Sequence, residues 1–289
     1  MSDHTFKLSS GRVLGYAEFG DPQGKPLFYF HGWPSSRLQG ELMDDVGKKR
    51  SLRIIAPDRP GIGLSEFQPQ RKLSDWPPLM REFTAQVGAE KFYVLGVSGG
   101  GAYALACAHA MPERLLGASV VCGAPPLREV GTDGLFWAYK LAKWAQKCLP
   151  FTVKPGLRVA GWITGKKLTQ WPQNWLARFY AAEDRRALQD GRLHRIMMFS
   201  GREALMGDVA AVRHDGTIYQ SDWGFKLADI EYPVQFWHGD EDWNIPLALA
   251  QKAAAQIPGA TFKVTPKDGH YSLPLLRCDE IVEAMMKNI

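Results

Sequence analysis

Gly96-Val97-Ser98-Gly99-Gly100 holds a serine with glycines two residues before and two residues after it. The preceding run, Lys91-Phe92-Tyr93-Val94-Leu95, reads as a short buried strand. Gly101 to Met111 reads as a helix, ended by Pro112. A serine on such a strand–turn–helix corner is held in a strained conformation with Oγ exposed at the carboxyl edge of a sheet. Only residues without a bulky Cβ let strand and helix approach so closely. The helix start behind the serine offers unpaired N–H groups to a developing anion. The chemistry this suggests is nucleophilic attack on a carbonyl, with Ser98 as the nucleophile.

A serine hydroxyl needs an imidazole to take its proton, and the imidazole needs a carboxylate to fix its tautomer. For a nucleophile on such a corner, the chain order is serine, acid, histidine. Five histidines follow Ser98: His109, His194, His214, His238 and His270. His270 lies in the polar loop Lys267-Asp268-Gly269-His270-Tyr271-Ser272, late in the chain and after the strand-like Ala260–Val264, so it is the expected base. His238 ends the apolar run Pro233–His238 and is expected to be structural. The loop after that run, Gly239-Asp240-Glu241-Asp242-Trp243-Asn244-Ile245-Pro246, offers three acids. Asp242 is the expected partner of His270, with Asp240 and Glu241 bonding their own turn. The preceding strand, Leu115–Val121, runs into Cys122-Gly123-Ala124-Pro125-Pro126, which contains no acid. Asp268 is too near His270 in sequence to serve.

A tetrahedral intermediate also needs donors for its oxyanion. One is the N–H of Gly99, the residue after the nucleophile; the other should come from an early loop after a strand. Pro26–Phe30 is such a strand, and His31-Gly32-Trp33-Pro34 opens its loop. Together with Asp58-Arg59-Pro60-Gly61-Ile62-Gly63-Leu64-Ser65, the serine corner, Asp242 and His270, this set resembles the α/β-hydrolase superfamily. It looks most like the branch holding esterases, perhydrolases and C–C hydrolases. The resemblance spans nearly the whole chain. It implies an α/β fold with a mostly parallel sheet flanked by helices, and the N–H of Trp33 as the second oxyanion donor. It also implies that Asp58–Ser65 is a structural turn and that the Trp33 indole walls the acyl pocket. His31 is expected to orient the loop at the edge of the pocket.

Strand signals stop at Val121 and resume near Pro233, with helical spacing between them. On the hydrolase pattern the core comprises residues 1–126 and 214–289, and residues 127–213 form a helical cap inserted after strand six. The cap carries five of the ten tryptophans, Trp137, Trp144, Trp162, Trp171 and Trp175. Trp137 and Trp171 are expected beside His31 and Trp33 in a largely apolar pocket.

The implied activity is ester hydrolysis through an acyl-enzyme, without metal or cofactor. The same triad serves perhydrolases, acyltransferases, lactonases and C–C bond hydrolases. A slow-turnover ligand receptor on the same fold is the rival of another class.

Composition sets further bounds. The 289 residues, 45 % hydrophobic and 22 % charged, fit a globular enzyme. The segment 125–215 carries about +7 and the remainder about −2, but its basic residues are dispersed rather than gathered in a strip for nucleic acid. No apolar run approaches the roughly 20 residues of a membrane span. The start Met1–Lys7 lacks the basic and apolar regions of a signal peptide. Cys107, Cys122, Cys148 and Cys278 show no metal spacing and read as free thiols. The expected partner is a small-molecule substrate, and the expected location cytoplasmic.

Overall fold

The computed structural model describes residues 2–136, 139, 141, 144, 148–164 and 180–287. Eight strands form one sheet: β1 (Ser2–Lys7), β2 (Val13–Gly20), β3 (Lys25–Phe30), β4 (Leu52–Pro57), β5 (Phe92–Val97), β6 (Leu115–Val121), β7 (Gln235–Gly239) and β8 (Thr261–Thr265). Their order across the sheet is β1-β2-β4-β3-β5-β6-β7-β8. β2 runs antiparallel to both β1 and β4; the remaining neighbours are parallel.

The central strands are largely apolar because helices cover both faces of the sheet. In β3, Phe28 and Phe30 enter the core on one face while Leu27 and Tyr29 enter the core on the other. β5 divides likewise, Phe92 and Val94 against Tyr93, Leu95 and Val97. The period of two thus persists without any alternation of polarity.

The antiparallel pair β1 and β2 was not expected from the sequence. β1 is an edge strand, Ser-Asp-His-Thr-Phe-Lys, and its polar side chains blunt the open edge.

Between β6 and β7 the described residues include helices Pro150–Thr164, Ala182–Ala187, Gly191–Met206 and Val209–Ile218. The last of these runs through the expected core boundary at 213/214, so no break between elements falls there. Its buried residues Val209, Ala211, Val212, Asp215 and Ile218 lie one to three residues apart and extend one buried face across that position. Trp137 and Trp171 lie outside the described residues. No described helix is long and apolar enough to cross a membrane.

Candidate active site

Ser98 sits between the end of β5 and the helix Gly100–Ala110, with φ +52°. The flanking glycines permit this corner. A Cβ on Gly96 would stand 2.3 Å from the carbonyl oxygen of Gly100, and one on Gly100 would stand 2.0 Å from that of Phe30. No side chain fits either place.

The loop after β8 carries His270, and the loop after β7 carries Asp242. The structure brings both to Ser98. Ser98 Oγ lies 3.0 Å from His270 Nε2, and His270 Nδ1 lies 2.8 Å from Asp242 Oδ2. A carboxylate can only accept, so Nδ1 carries the proton and Nε2 is free to take one from Oγ. Burial disfavours the imidazolium, but the charge of Asp242 and its hydrogen bond outweigh that and raise the His270 pKa above 6.5. Burial likewise pushes the Asp242 carboxyl up, yet His270, His238 and the Ile245 N–H together hold it below its ordinary value.

Asp242 uses its two oxygens differently. While Oδ2 faces His270, Oδ1 accepts from the N–H groups of Asn244 and Ile245. The acid that makes a local turn is therefore Asp242 itself. Asp240, expected in that role, instead accepts from the N–H of Lys267 and ties the two loops together. His238, read as structural, stands 3.4 Å from Asp242 Oδ2 and donates from Nε2 to the Ile245 carbonyl. It shores up the acid from beneath, and burial keeps its pKa low. Cys122 has Sγ within 4.8 Å of donor atoms of Asp242 and His270. Burial raises its pKa far above the usual range, so the thiol keeps its proton.

Trp33 lies beside the corner: a Cβ on Gly99 would be 3.0 Å from Trp33 Cβ. Among the described residues, the N–H groups of Trp33 and Gly99 have no acceptor. The Trp33 indole donates to the Val212 carbonyl and helps wall both cavities that reach Ser98.

His31 does not line either cavity. It is fully buried, with Nδ1 donating to the Gly32 carbonyl and Nε2 facing the Arg59 N–H. Arg59 explains its placement. That guanidinium donates to the carbonyls of both His31 and Gly32 and pairs with Asp215, which also holds Arg71 and Tyr103. Arg59, Arg71 and Asp215 are all buried.

A second buried acid, Asp184 of the Ala182–Ala187 helix, accepts from the N–H groups of Tyr271 and Ser272, directly after His270. Sequence reasoning missed Arg59, Asp184 and Asp215. Only Arg59 lay in a recognised motif, the turn after β4.

Two cavities meet at Ser98, Trp33 and Tyr139. The larger, about 490 Å³, extends past His270 and is lined by Tyr180, Arg185, His194 and Met197 among others. The smaller, about 330 Å³, lies on the Gly99 side. The arrangement can activate a hydroxyl, stabilise an oxyanion, and seat two groups on opposite sides of a carbonyl carbon.

Residues 27–284 match the alpha/beta hydrolase family. The chain is 25 % identical over 276 residues to a non-heme chloroperoxidase of Streptomyces lividans, covering 90 % of each. It is 24 % identical over 256 residues to a bifunctional esterase/perhydrolase of Acinetobacter calcoaceticus, covering 86 % of this chain and 85 % of that one. An esterase structure from Rhodococcus sp. ECU1013 superposes with a TM-score of 0.71 at 19 % identity, covering 99 % of both chains.

Proposed function

The chain belongs to the alpha/beta hydrolase family, and on that premise we propose that it cleaves carboxylic esters of small to medium, largely apolar substrates. The observation that carries this reading is the unbroken chain from Ser98 Oγ through His270 to Asp242, at 3.0 Å and 2.8 Å. His270 takes the Oγ proton as Oγ attacks the ester carbonyl. The N–H groups of Gly99 and Trp33 receive the oxyanion, and Asp242 stabilises the imidazolium. His270 then protonates the leaving alkoxide. Water, activated by the same imidazole, releases the acid. The segment between β6 and β7 acts as a cap, supplying Tyr180, Arg185, Met197 and Leu205 to the larger cavity.

The test is direct. A fluorophosphonate probe should label the wild-type chain and not Ser98→Ala, and 4-nitrophenyl esters should turn over repeatedly. Labelling that persists in Ser98→Ala at the same rate would overturn the assignment of the nucleophile. A single turnover followed by arrest would favour a receptor.

A second reading has its own support, because one relative is named an esterase/perhydrolase and another a chloroperoxidase. If hydrogen peroxide resolves the acyl-enzyme in place of water, the product is a peracid. Peracetic acid formed from acetate esters and peroxide, faster than acetate, would favour perhydrolysis.

A further inference from the structure

We propose that the smaller cavity is an acyl chamber for an acid with a charged far end. The substrate class is the monoesters of dicarboxylic acids, whose free carboxylate is read by Arg213. This rests on the ester-hydrolase reading above and names the substrate class for that same site.

The cavity begins at Ser98 and Gly99, where the acyl carbon and its oxyanion would lie. Its walls include Ala124, Leu127, Leu135, Val153, Leu157 and Ile245, a surface suited to methylene groups. Two polar side chains also line it, Arg213 on the helix Val209–Ile218 and Gln220 in the turn just beyond its end. Gly216 lies one turn after Arg213 on that helix, and a Cβ there would stand 2.8 Å from Trp33 Cζ2. This helix face therefore runs along the Trp33 wall of the chamber.

Arg213 differs from the other enclosed arginines. Arg37, Arg59 and Arg71 are buried, and each pairs with at least one carboxylate. Arg213 is half-buried, its Nε is fully enclosed, and that atom has no hydrogen-bond partner. Every Asp and Glu of the chain lies among the described residues, and none forms an ion pair with Arg213. A guanidinium set into an apolar wall without a counter-charge is costly, and an anionic group on the occupant would offset that cost. A planar fork of donors suits a carboxylate.

The reaction balances without any added reagent. The Ser98 Oγ–acyl bond forms and the acyl–alkoxy bond breaks. The alkoxide leaves toward the His270 side with the proton His270 took from Oγ. Water then gives the dicarboxylate. The carboxylate on Arg213 takes no part in bond making.

Methyl esters of butanoic, pentanoic and hexanoic acids should be compared with monomethyl succinate, glutarate and adipate. The readout is the ratio of kcat/KM within each length-matched pair, measured in one preparation, so a general loss of activity cancels. In the wild type at least one diacid monoester should exceed its neutral match by about tenfold or more, as a charge-assisted hydrogen bond supports. Arg213→Met should bring that ratio to one or below. A wild-type ratio below one at every length, or a ratio unmoved by Arg213→Met, would overturn the proposal.

Binding separates this result from failure of the hydrolase reading. Ser98→Ala should bind the preferred monoester calorimetrically, and adding Arg213→Met should weaken it by about tenfold or more. Equal affinity in the two proteins would overturn the proposal, whether or not the wild type hydrolyses any ester.

Discussion

The Gly32 carbonyl accepts a hydrogen bond from Nη2 of Arg59 at 2.8 Å. The N–H of that same peptide unit belongs to Trp33. In a trans peptide, C=O and N–H point in opposite directions, so a guanidinium that holds the carbonyl also aims the Trp33 N–H. Asp215 in turn fixes the guanidinium, and His31 supports the carbonyl from Nδ1.

Arg59→Lys keeps the charge but cannot hold two carbonyls and Asp215 at once. It should lower kcat about 10- to 100-fold with KM nearly unchanged, because an oxyanion donor acts chiefly in the transition state. Arg71→Lys disturbs the same buried cluster without touching Gly32. It should cost stability with little selective loss in kcat. Steady-state kinetics and thermal melts on both variants check this; equal kcat losses would mean the cluster only holds the fold.

Asp242→Asn should preserve the fold and lower kcat about 10⁴-fold by favouring the wrong tautomer of His270. Asp240→Asn, which loses only its bond to the Lys267 N–H, should cost far less. Circular dichroism paired with kinetics on each variant decides between the two acids.

The raised pKa of His270 makes activity and stability respond oppositely to pH. In the proposed mechanism neutral His270 is the base, so kcat/KM for a neutral ester should rise through an apparent pKa above 6.5 and then level off. The stabilisation from charged His270 is complete below its unfolded value and is lost as pH rises through the folded pKa. Melting temperature should therefore fall across the window in which activity rises. In Asp242→Asn the midpoint should move down, because burial is then opposed only by the charge of Asp184, and the slope in melting temperature should flatten.

Asp184→Ala removes the acceptor for two N–H groups immediately after His270. It should cost about 1–3 kcal/mol of stability, together with a drop in kcat of about tenfold as His270 loses its placement. Asp184→Asn keeps an acceptor oxygen and should retain most of both. Chemical denaturation and kcat measured side by side test the pairing.

Ser98, Asp242 and His270 could be picked out together because each comes after a run that reads as a strand, and sheet topology aligns the ends of such strands. Ser98, Asp242 and His270 needed no knowledge of side-chain contacts. Asp184 and Asp215 look in sequence like ordinary acids of helix surfaces. Their burial depends on partners 87 or more residues away in one case and 112 or more in the other, which helical spacing does not encode. His31 was misplaced for a related reason. A histidine next to the oxyanion loop suggests a ring in the pocket, but the Gly32 carbonyl and Arg59 draw it inward. β1 escaped notice because its run of Ser, Asp, His, Thr, Phe and Lys holds a single large apolar residue, Phe6.

Three acids of the segment between β6 and β7 cross into the core. Asp184 holds the loop of His270, Asp215 holds Arg59, and Glu203 meets Arg37 beside Asp58. That segment is therefore no interchangeable module. A chimera that swaps it for the matching segment of another hydrolase would strip the loops of His270 and Trp33 of their anchors at once. Transplantation of specificity in this scaffold has to proceed residue by residue on the cavity-facing side, with those three carboxylates left in place.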